Sequence, residues 1–250
     1  PQVDGSRFEL PAASVRFMIS RCVFAITHEE SRFALNGALM ILKANQMTFV
    51  TTDGHRLALI SATTEIPGVE GEMKNLVPKK TLVELVKLAA SGYDTIQFAK
   101  DSNHLLFQVG ERILISRMLS GQFPNYEMVF PADNDKDVQI DTVELSDTLK
   151  RVAIMADEQS RSIKLELSEG QLEVSSNNAD LGEAKASLPV EFEGETLSIC
   201  FNASYLLDFL SVLDSEKVTL SLRDAETQGL FSPVDDEEYS YQYVVMPMQL

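Results

Sequence analysis

An internal repeat is the feature that most constrains the fold of this chain. The order of predicted strands and helices in the first half recurs in the second, roughly 124 residues later from the middle strands onward. A helix predicted at Lys79–Ala89, for example, corresponds to one at Ala203–Leu213. Such a match of element types predicts a duplicated α+β domain, in which each copy packs two helices on antiparallel sheets. The boundary falls near Phe123–Tyr126, which assigns one domain to residues 1–126 and the next to 127–250.

The first helix of each copy follows a short predicted strand. In the first copy the strand is Phe8–Leu10, and Pro11 opens the helix because its missing N–H costs nothing in a first turn. In the second copy the strand is Val143–Leu145, and Ser146 is the predicted helix cap. Apolar periodicity predicts further strands of the first copy at Arg32–Leu35, Ala38–Leu42, Met47–Thr51, Leu57–Ala62, Asn75–Val77, Thr95–Ala99, Leu105–Val109 and Ile113–Met118.

The formal charge of −17 is unevenly distributed along the chain. Residues 1–126 hold 13 Lys and Arg against 12 Asp and Glu, whereas residues 127–250 hold 8 against 26. A net negative charge of this size argues against a protein that simply coats nucleic acid, but it does not exclude a local basic surface. The asymmetry indicates two domains with different outward faces.

Seven cations lie off the apolar stripes of the first three predicted helices. They are Arg16, Arg21, Lys79, Lys80, Lys87, Lys150 and Arg151. One interpretation is a solvated helix face, and the other is a weak surface for a phosphate backbone that ignores base sequence. The fourth helix does not share the pattern, because it offers Asp208 and Asp214 and no cation.

The stretch Thr51–Leu59 carries the strongest hairpin signal and an unusual concentration of polar chemistry. Asp53-Gly54 lies between two strand-like runs, and glycine accepts the positive φ of a tight turn without steric cost. His55 and Arg56 follow immediately, although a plain hairpin requires neither residue. We therefore interpret this stretch as one wall of a binding site.

An enzyme is the competing interpretation of the same stretch, with Asp53, His55 and Arg56 as acid, base and anion clamp. The plainer alternative is a turn aspartate followed by a partly buried histidine on the next strand. The chain has no Gly-x-Ser-x-Gly elbow, no phosphate-binding glycine loop and no Cys/His spacing typical of zinc. The other histidines, His28 and His104, have loop-like neighbours that indicate solvated side chains. The enzyme hypothesis therefore lacks a nucleophile, a metal set and a phosphate site.

Two further features concern the core and the end of the chain. Cys22 and Cys200 lie far apart within apolar runs, which predicts two reduced core cysteines rather than a disulfide. The chain ends with Tyr243–Met246, a predicted strand, and an apolar tail beyond Pro247. Methionines beside a proline are suited to an adaptable apolar groove. The acidic run Asp235–Glu238 is predicted to be a solvated loop.

Four separated motifs resemble those of one protein family, in the same order. They are Thr52–Ala58, Phe123–Tyr126, Phe201–Tyr205 and Val244–Met248. The family is the bacterial DNA polymerase III β subunit, or DNA sliding clamp, and the resemblance runs along essentially the whole chain. It implies two tandem copies of the DNA-clamp domain, the middle and C-terminal domains of that family's three. The first domain would then be absent, and Pro1–Gly5 would be the end of an interdomain linker.

The resemblance also implies a function and a set of partners. Members of the family close as head-to-tail homodimers into a ring around duplex DNA, with helices lining the hole. This chain would be a polymerase processivity factor with no catalytic residues, metal or cofactor, located in the cytoplasm and not in a membrane. Its partners would be duplex DNA, held weakly by the seven helix cations, and DNA polymerase III subunits, the clamp loader, other polymerases and repair proteins. These proteins would bind through short clamp-binding peptide motifs.

The family's peptide-binding pocket lies between its middle and last domains. The residues carried over to it are Arg32, Leu35, Thr52, Gly54, His55, Arg56, Leu57, Pro124, Met128, Val129, Asn202, Tyr205, Val244, Met246, Pro247 and Met248. Two departures predict a changed peptide preference: Met128 stands where a basic residue is common, and Gln249 where the family usually has Arg. A scaffold that binds proteins but not DNA is the remaining alternative, and the acidic second half favours it.

Overall fold

The computed structural model describes residues 6–27, 29, 31–178, 182–234 and 238–249. The predictions for Pro1–Gly5, for His28 and for the first three residues of the acidic run lie outside this part of the chain. The described residues fall into two compact units. The first comprises residues up to 124 together with 238–241, and the second comprises 125–234 together with 242–249.

The first unit contains two α-helices and eight strands. They are β1 (Arg7–Pro11), α1 (Ala12–Cys22), β2 (Gly37–Lys43), β3 (Gln46–Thr52), β4 (Arg56–Thr63), β5 (Met73–Pro78), α2 (Lys79–Ala89), β6 (Thr95–Lys100), β7 (His104–Val109) and β8 (Arg112–Arg117). Short 3-10 turns lie at Val23–Ala25 and Phe33–Leu35. Hydrogen-bonded neighbours follow the orders β5-β2-β3-β4 and β1-β6-β7-β8, and the pairs are antiparallel.

The second unit repeats this plan. Its elements are β9 (Lys136–Asp141), α3 (Thr142–Ala153), β10 (Ser162–Ser168), β11 (Gln171–Asn178), β12 (Gly182–Pro189), β13 (Leu197–Asn202), α4 (Ala203–Leu210), β14 (Lys217–Leu222), β15 (Gly229–Pro233) and β16 (Tyr239–Val245). The first three residues of β16 are counted with the first unit and the rest with the second. The strand orders are β13-β10-β11-β12 and β9-β14-β15-β16. Each order matches the first unit strand for strand, which confirms the predicted α+β class with two tandem clamp-type domains.

The periodic burial of apolar residues explains why these segments form strands and helices. In each unit they pack around a core of its own. In α1, Val15, Met18 and Ile19 are fully buried at the predicted helical spacing. The rings of Phe98 and Phe107 contact one another in the first unit at 5.1 Å between centroids. In the second unit the rings of Phe209 on α4 and Tyr243 on β16 stack at 4.6 Å. Aromatic contacts of this kind add to the stabilisation from apolar burial.

The α-helices of both units begin with the same kind of backbone hydrogen bond. The first N–H of each helix donates to a carbonyl that immediately precedes a strand of the same unit. These bonds are Ala12 N to Asp94 O (2.8 Å), Lys79 N to Asn36 O (3.0 Å), Thr142 N to Glu216 O (2.9 Å) and Ala203 N to Arg161 O (2.9 Å). Because an unpaired N–H at a buried helix start is costly, these bonds fix where each helix enters its unit.

Three element predictions were wrong, each for a local reason. Arg32–Leu35 is not a strand, because Phe33–Leu35 forms a 3-10 turn in which Leu35 N donates to Arg32 O (2.8 Å). Val143–Leu145 lies inside α3, and Ser146 is not its cap. The cap is Asp141, whose carboxylate accepts the Glu144 N–H at 2.8 Å.

The predicted end of the fourth helix was also too late. It ends at Leu210 rather than at Leu213. The next residue, Ser211, donates its hydroxyl to the Asp208 carbonyl at 2.7 Å. Cys22 and Cys200 are both buried and free, as predicted. Within the described ranges, no helix combines the length and apolar character that crossing a membrane requires.

Candidate functional site

The turn between β3 and β4 is the centre of the candidate site in the first unit. Thr52 pairs with Leu57, so residues 53–56 form the connection. Gly54 has a φ of 93°, in the left-handed region that glycine accepts readily. The Thr52 hydroxyl accepts the Gly54 N–H at 3.0 Å and donates to the Arg56 carbonyl at 2.6 Å. The hairpin prediction is therefore confirmed, with a side-chain hydroxyl closing the turn.

The carboxylate of Asp53 is used to build the turn. Its Oδ1 accepts the backbone N–H groups of His55 (3.0 Å) and Arg56 (3.1 Å), and its Oδ2 accepts Arg56 Nε at 3.0 Å. Because both oxygens have these structural partners, the carboxylate is poorly placed to act as a catalytic acid. His55 lies in the turn itself and is exposed. The alternative of a partly buried histidine on the next strand was therefore wrong.

Arg56 ties this turn to the chain that follows α1. Its side chain is only 9% exposed, and its Nη2 donates to the Phe24 carbonyl at 3.1 Å. On the neighbouring strand, the Thr51 hydroxyl donates to the Cys22 carbonyl at 2.7 Å. The resemblance implied that Arg56 contacts the peptide, and the structure shows that it links the turn to the backbone that follows α1. Sequence reasoning missed this because the carbonyl partners carry no side-chain signal.

Arg32 closes the other side of the turn. Its Nη1 donates to the Asp53 carbonyl at 3.2 Å, and its Nε pairs with Glu29 at 3.1 Å. A Cβ at Gly54 would lie 2.6 Å from Arg32 Nη1, so any other residue would require the end of the Arg32 side chain to shift. Leu35, on the adjacent 3-10 turn, is half-buried. Arg32, Thr52, Gly54 and Arg56 are thus joined, together with Asp53, in one hydrogen-bonded assembly.

Four further residues predicted for the site differ widely in exposure. They are Leu57 on β4 and three residues near the boundary of the two units, Pro124, Met128 and Val129. Leu57 is 2% exposed and belongs to the core of the first unit. Pro124 is exposed, and in the second unit Met128 is 81% exposed on the 3-10 turn Tyr126–Val129. Val129, the last residue of that turn, is half-buried. Met128 therefore presents a flexible apolar side chain to solvent, whereas Leu57 packs in the core beneath the turn.

Asn202 and Tyr205 position the start of α4 in the second unit. The Asn202 side chain accepts the Ser204 N–H at 2.9 Å and donates to the Ser160 carbonyl at 3.2 Å. The Tyr205 carbonyl accepts the Tyr243 hydroxyl at 2.9 Å, and the Tyr205 side chain is half-buried. These bonds make the α4 start a fixed platform.

The C-terminal tail is apolar and partly exposed. The last strand ends at Val245 rather than at Met246 as predicted. Val244 is 1% exposed, so its side chain belongs to the core of the second unit. Met246 is 39% exposed, and Pro247 and Met248 are half-buried. The Met248 N–H donates to the Cys200 carbonyl on β13 at 2.8 Å, which anchors the tail by its backbone.

The predicted cationic faces are largely exposed, with one correction. Arg16, Lys80, Lys87, Lys150 and Arg151 are exposed. Two of them pair with acids on their own helices, Lys87 with Glu84 at 2.8 Å and Lys150 with Asp147 at 3.2 Å. Surface pairs of this type are weak and screened, so the cations stay available to a polyanion.

Arg21 is the exception among these cations. It is 9% exposed, and its guanidinium lies 3.4 Å from the centre of the Phe17 ring. Tyr239 stacks on Phe17 at 4.2 Å, and the Tyr241 hydroxyl donates to the Arg21 carbonyl. The prediction that Arg21 lies on an open helix face was therefore wrong, because the apolar stripe of α1 is widened by Phe17 and these tyrosines.

Two titratable groups show the electrostatics of the first unit. Burial, and secondarily the nearby Arg56, lowers the pKa of Lys79 below its ordinary value. Backbone N–H groups of Asn103 and His104 lower the pKa of Asp101 in the β6–β7 turn. His104 begins β7, is half-buried and has its Nδ1 3.3 Å from Asp101, so the prediction of a solvated loop histidine was wrong.

Comparisons with known proteins match both units. The central-domain model of the DNA polymerase III beta subunit matches residues 9–125, and the C-terminal-domain model matches residues 127–249. The beta sliding clamp of Pseudomonas putida is 37% identical over 241 residues, which cover 96% of this chain and 65% of that protein. The beta sliding clamp of Escherichia coli K12 is 34% identical over 245 residues, 97% of this chain and 65% of that protein.

A solved structure gives the same result in three dimensions. The sliding clamp of Pseudomonas aeruginosa bound to griselimycin matches with a TM-score of 0.93 and 35% identity, over 100% of this chain and 68% of that chain. The chain thus spans 65% of the length of the curated relatives and about two thirds of the solved clamp. The two domain models match in the family's own order, the relatives are more than 30% identical, and the fold is the same. This chain belongs to the DNA polymerase III β subunit, or sliding clamp, family.

Proposed function

We propose that this chain acts as the central and C-terminal domains of a DNA sliding clamp, a processivity factor that encircles duplex DNA and tethers polymerases. One observation carries the proposal: both domain models match in order, and the fold superimposes on a solved clamp along the whole chain. The working form is a homodimeric ring in the cytoplasm that needs no cofactor and performs no catalysis. The occupied carboxylate of Asp53 supports a non-catalytic role for the turn.

We further propose that partner proteins bind through short peptides, and that the two units supply different chemistry to them. In the first unit the polar fixing points are His55 and Arg32, with Arg56 and Thr52 holding the turn. In the second unit the apolar contacts come from Met128, Val129, Met246, Pro247 and Met248, beside Asn202 and Tyr205. DNA polymerase III subunits, the clamp loader, other polymerases and repair proteins are the expected partners. With Met128 in place of a cation and Gln249 near the end, peptides rich in apolar residues should be preferred over acidic ones.

Calorimetric titration with a peptide of the Gln-Leu-x-Leu-Phe type tests the peptide site. We expect a dissociation constant in the micromolar range, which corresponds to about −8 kcal/mol. A scrambled peptide of the same composition is the control. Equal affinity for the scrambled peptide, or no binding by a folded sample, would contradict the proposed site.

DNA contact is proposed for Arg16, Lys79, Lys80, Lys87, Lys150 and Arg151, with Arg21 supporting α1 from within. Attraction through a few exposed cations is weak and falls steeply with salt, because each phosphate contact releases counterions. A chain that is not closed into a ring should therefore bind linear duplex weakly, in an anisotropy titration between 50 and 200 mM salt. Tight binding that ignores salt would contradict this proposal. The domain assignment 1–126 and 127–250 remains a prediction.

A further inference from the structure

The first three residues of β16 pack in the first unit, although they lie close to the end of the chain. By sequence, residues 239–241 belong to the C-terminal-domain model, which matches residues 127–249. By packing, they are counted with the unit that comprises residues up to 124. The central-domain model, which matches residues 9–125, therefore does not include every segment that completes the first unit.

Tyr239 packs its ring on the helix α1. The rings of Tyr239 and Phe17 are stacked, with 4.2 Å between their centroids and 23° between their planes. The Tyr239 hydroxyl donates to Ser14 Oγ at 3.3 Å, and the Arg21 guanidinium lies 3.4 Å from the centre of the Phe17 ring. Ser14, Phe17 and Arg21 are spaced by three and four residues, so one face of the helix makes the whole contact. Ring stacking and a cation over a ring both add to the stabilisation from burial.

Tyr241 binds the end of the same helix. Its hydroxyl donates to the carbonyl of Arg21, the residue before the last of α1. The last carbonyls of a helix have no donor within the helix, and a buried carbonyl without a donor is costly. Tyr239 is 8% exposed and Tyr241 3%, whereas Ser240 between them is exposed. This alternation is that of a strand with one face against the helix.

The contact with β16 lies on a different face of α1 from the core stripe. Val15, Met18 and Ile19 form that stripe and are fully buried. Phe17 lies to one side of it and is half-buried. The helix is therefore held on two faces, by the core of the first unit and by a segment that follows in sequence more than 200 residues later.

We propose that Tyr239 and Tyr241 form a clasp on α1, and that the first unit opens only when this segment of β16 leaves the helix. The C-terminal strand would then control the stability of a unit to which it does not belong by sequence. The clasp needs no ligand, so it is independent of the proposed function. It also explains why Arg21, unlike Arg16 on the same helix, is withdrawn from solvent.

The two cysteines of the chain allow the opening of each unit to be measured separately. Cys22 is the last residue of α1 in the first unit, and Cys200 lies on β13 in the second. Both are buried and free, so each reacts with N-ethylmaleimide only when its surroundings open. Mass spectrometry of the two cysteine-containing peptides gives the two labelling rates under native conditions.

Tyr239→Ala removes the stacked ring and its hydroxyl. We expect Cys22 to be labelled about a hundredfold faster than in the unmodified chain, the effect typical of deleting a buried aromatic side chain. The labelling rate of Cys200 should not change. An unchanged rate at Cys22, or a rise of the same size at both cysteines, would overturn the proposal.

A matched pair of conservative variants tests the clasp without removing a ring. Tyr241→Phe and Tyr243→Phe each delete one hydroxyl from β16, at positions two residues apart. The Tyr243 hydroxyl donates to the Tyr205 carbonyl in the second unit at 2.9 Å. We expect Tyr241→Phe to label about fivefold faster at Cys22 and not at Cys200, and Tyr243→Phe to leave Cys22 unchanged. If Tyr241→Phe does not affect Cys22, or if Tyr243→Phe affects it equally, the clasp is refuted.

Discussion

The β3–β4 turn of the first unit and the C-terminal tail of the second are built in opposite ways. The turn carries charged and polar groups that are held by Thr52, Asp53, Arg56 and Arg32 through a series of hydrogen bonds. The tail is apolar, partly exposed and anchored by the bond from Met248 N to Cys200 O. A polar group binds a ligand well only when its direction is fixed, whereas methionine contacts tolerate adjustment. The comparison contrasts a turn whose polar groups are fixed in direction with an apolar tail whose methionine side chains can adjust.

Replacing Arg56, whose side chain holds the β3–β4 turn, should have the largest effect on stability. In Arg56→Ala the Asp53 carboxylate, which is 15% exposed, loses its ion-pair partner, and the Phe24 carbonyl loses its donor. We expect the free energy of unfolding to fall by about 3 kcal/mol, with a further loss of peptide affinity. Urea unfolding followed by circular dichroism measures the first quantity. Lys87→Ala, which breaks the exposed pair with Glu84, is the control and should cost less than about 0.5 kcal/mol. Equal effects in the two variants would show that the turn is not held by Arg56.

Crowding the turn should have the next largest effect. Gly54→Ala places a Cβ 2.6 Å from Arg32 Nη1 at a φ of 93°, so it should cost about 2 kcal/mol. Gly92→Ala is the matched control, because Gly92 has a φ of 86° and nothing within 4 Å of its Cβ position. That variant should cost about 1 kcal/mol for the backbone alone. The difference in urea stability between the two variants measures the cost of displacing the Arg32 side chain, and no difference would show that its contact with the turn adds nothing to stability.

His55→Ala should separate binding from stability. The imidazole is exposed in the turn, so its loss should change the free energy of unfolding by less than about 0.5 kcal/mol. Peptide affinity should fall about fivefold, since a polar fixing point of the ligand is removed. Gln46→Ala, at the other end of β3, is the control and should leave calorimetric affinity unchanged. Unaltered affinity in His55→Ala would remove this residue from the site.

The smallest predicted effect concerns Lys79, which lies near Arg56. Its pKa is lowered in the folded state, so the unfolded chain binds the proton more strongly. The free energy of unfolding therefore rises with pH between the lowered pKa of the folded state and the ordinary lysine pKa. Lys79→Met should therefore be more stable than the unmodified chain at pH 7. The gain should vanish above the ordinary lysine pKa of about 10.4. Urea unfolding at pH 7 and pH 10.5, with the exposed Lys80→Met as control, measures the difference. A gain that persists at high pH would show that apolar packing, not charge, is responsible.

The architecture was largely predictable from the sequence, because apolar spacing dictates strands and helices in both units. The helix α2 was predicted over Lys79–Ala89 and has those bounds. The start of α3 was missed because Asp141 and Ser146 are both good capping residues, and only pairing of β9 with β14 decides between them. Backbone bonds between distant residues, such as Thr142 N to Glu216 O, leave no mark in a local pattern.

The sequence predicted which residues belong to the candidate site, but it did not predict how deeply each of them is buried. The Asp-Gly signal identified the turn, and the apolar residues around Pro247 identified the tail. Burial then divided the members, because Arg56, Leu57 and Val244 are inside whereas His55, Met128 and Met246 are exposed. The exposure of a residue depends on which distant segment covers it, and the sequence pattern does not carry that information.

Trimming Met246–Leu250 tests the central claim most directly, because it removes the proposed apolar contacts of the tail and leaves the β3–β4 turn unchanged. Peptide affinity and the free energy of unfolding are measured on the same trimmed sample. We expect peptide binding to weaken more than tenfold, while stability falls by only about 1 kcal/mol for the lost bond to Cys200 O. Unchanged peptide affinity in a folded, trimmed chain would contradict the account, because the tail would then be no part of the site.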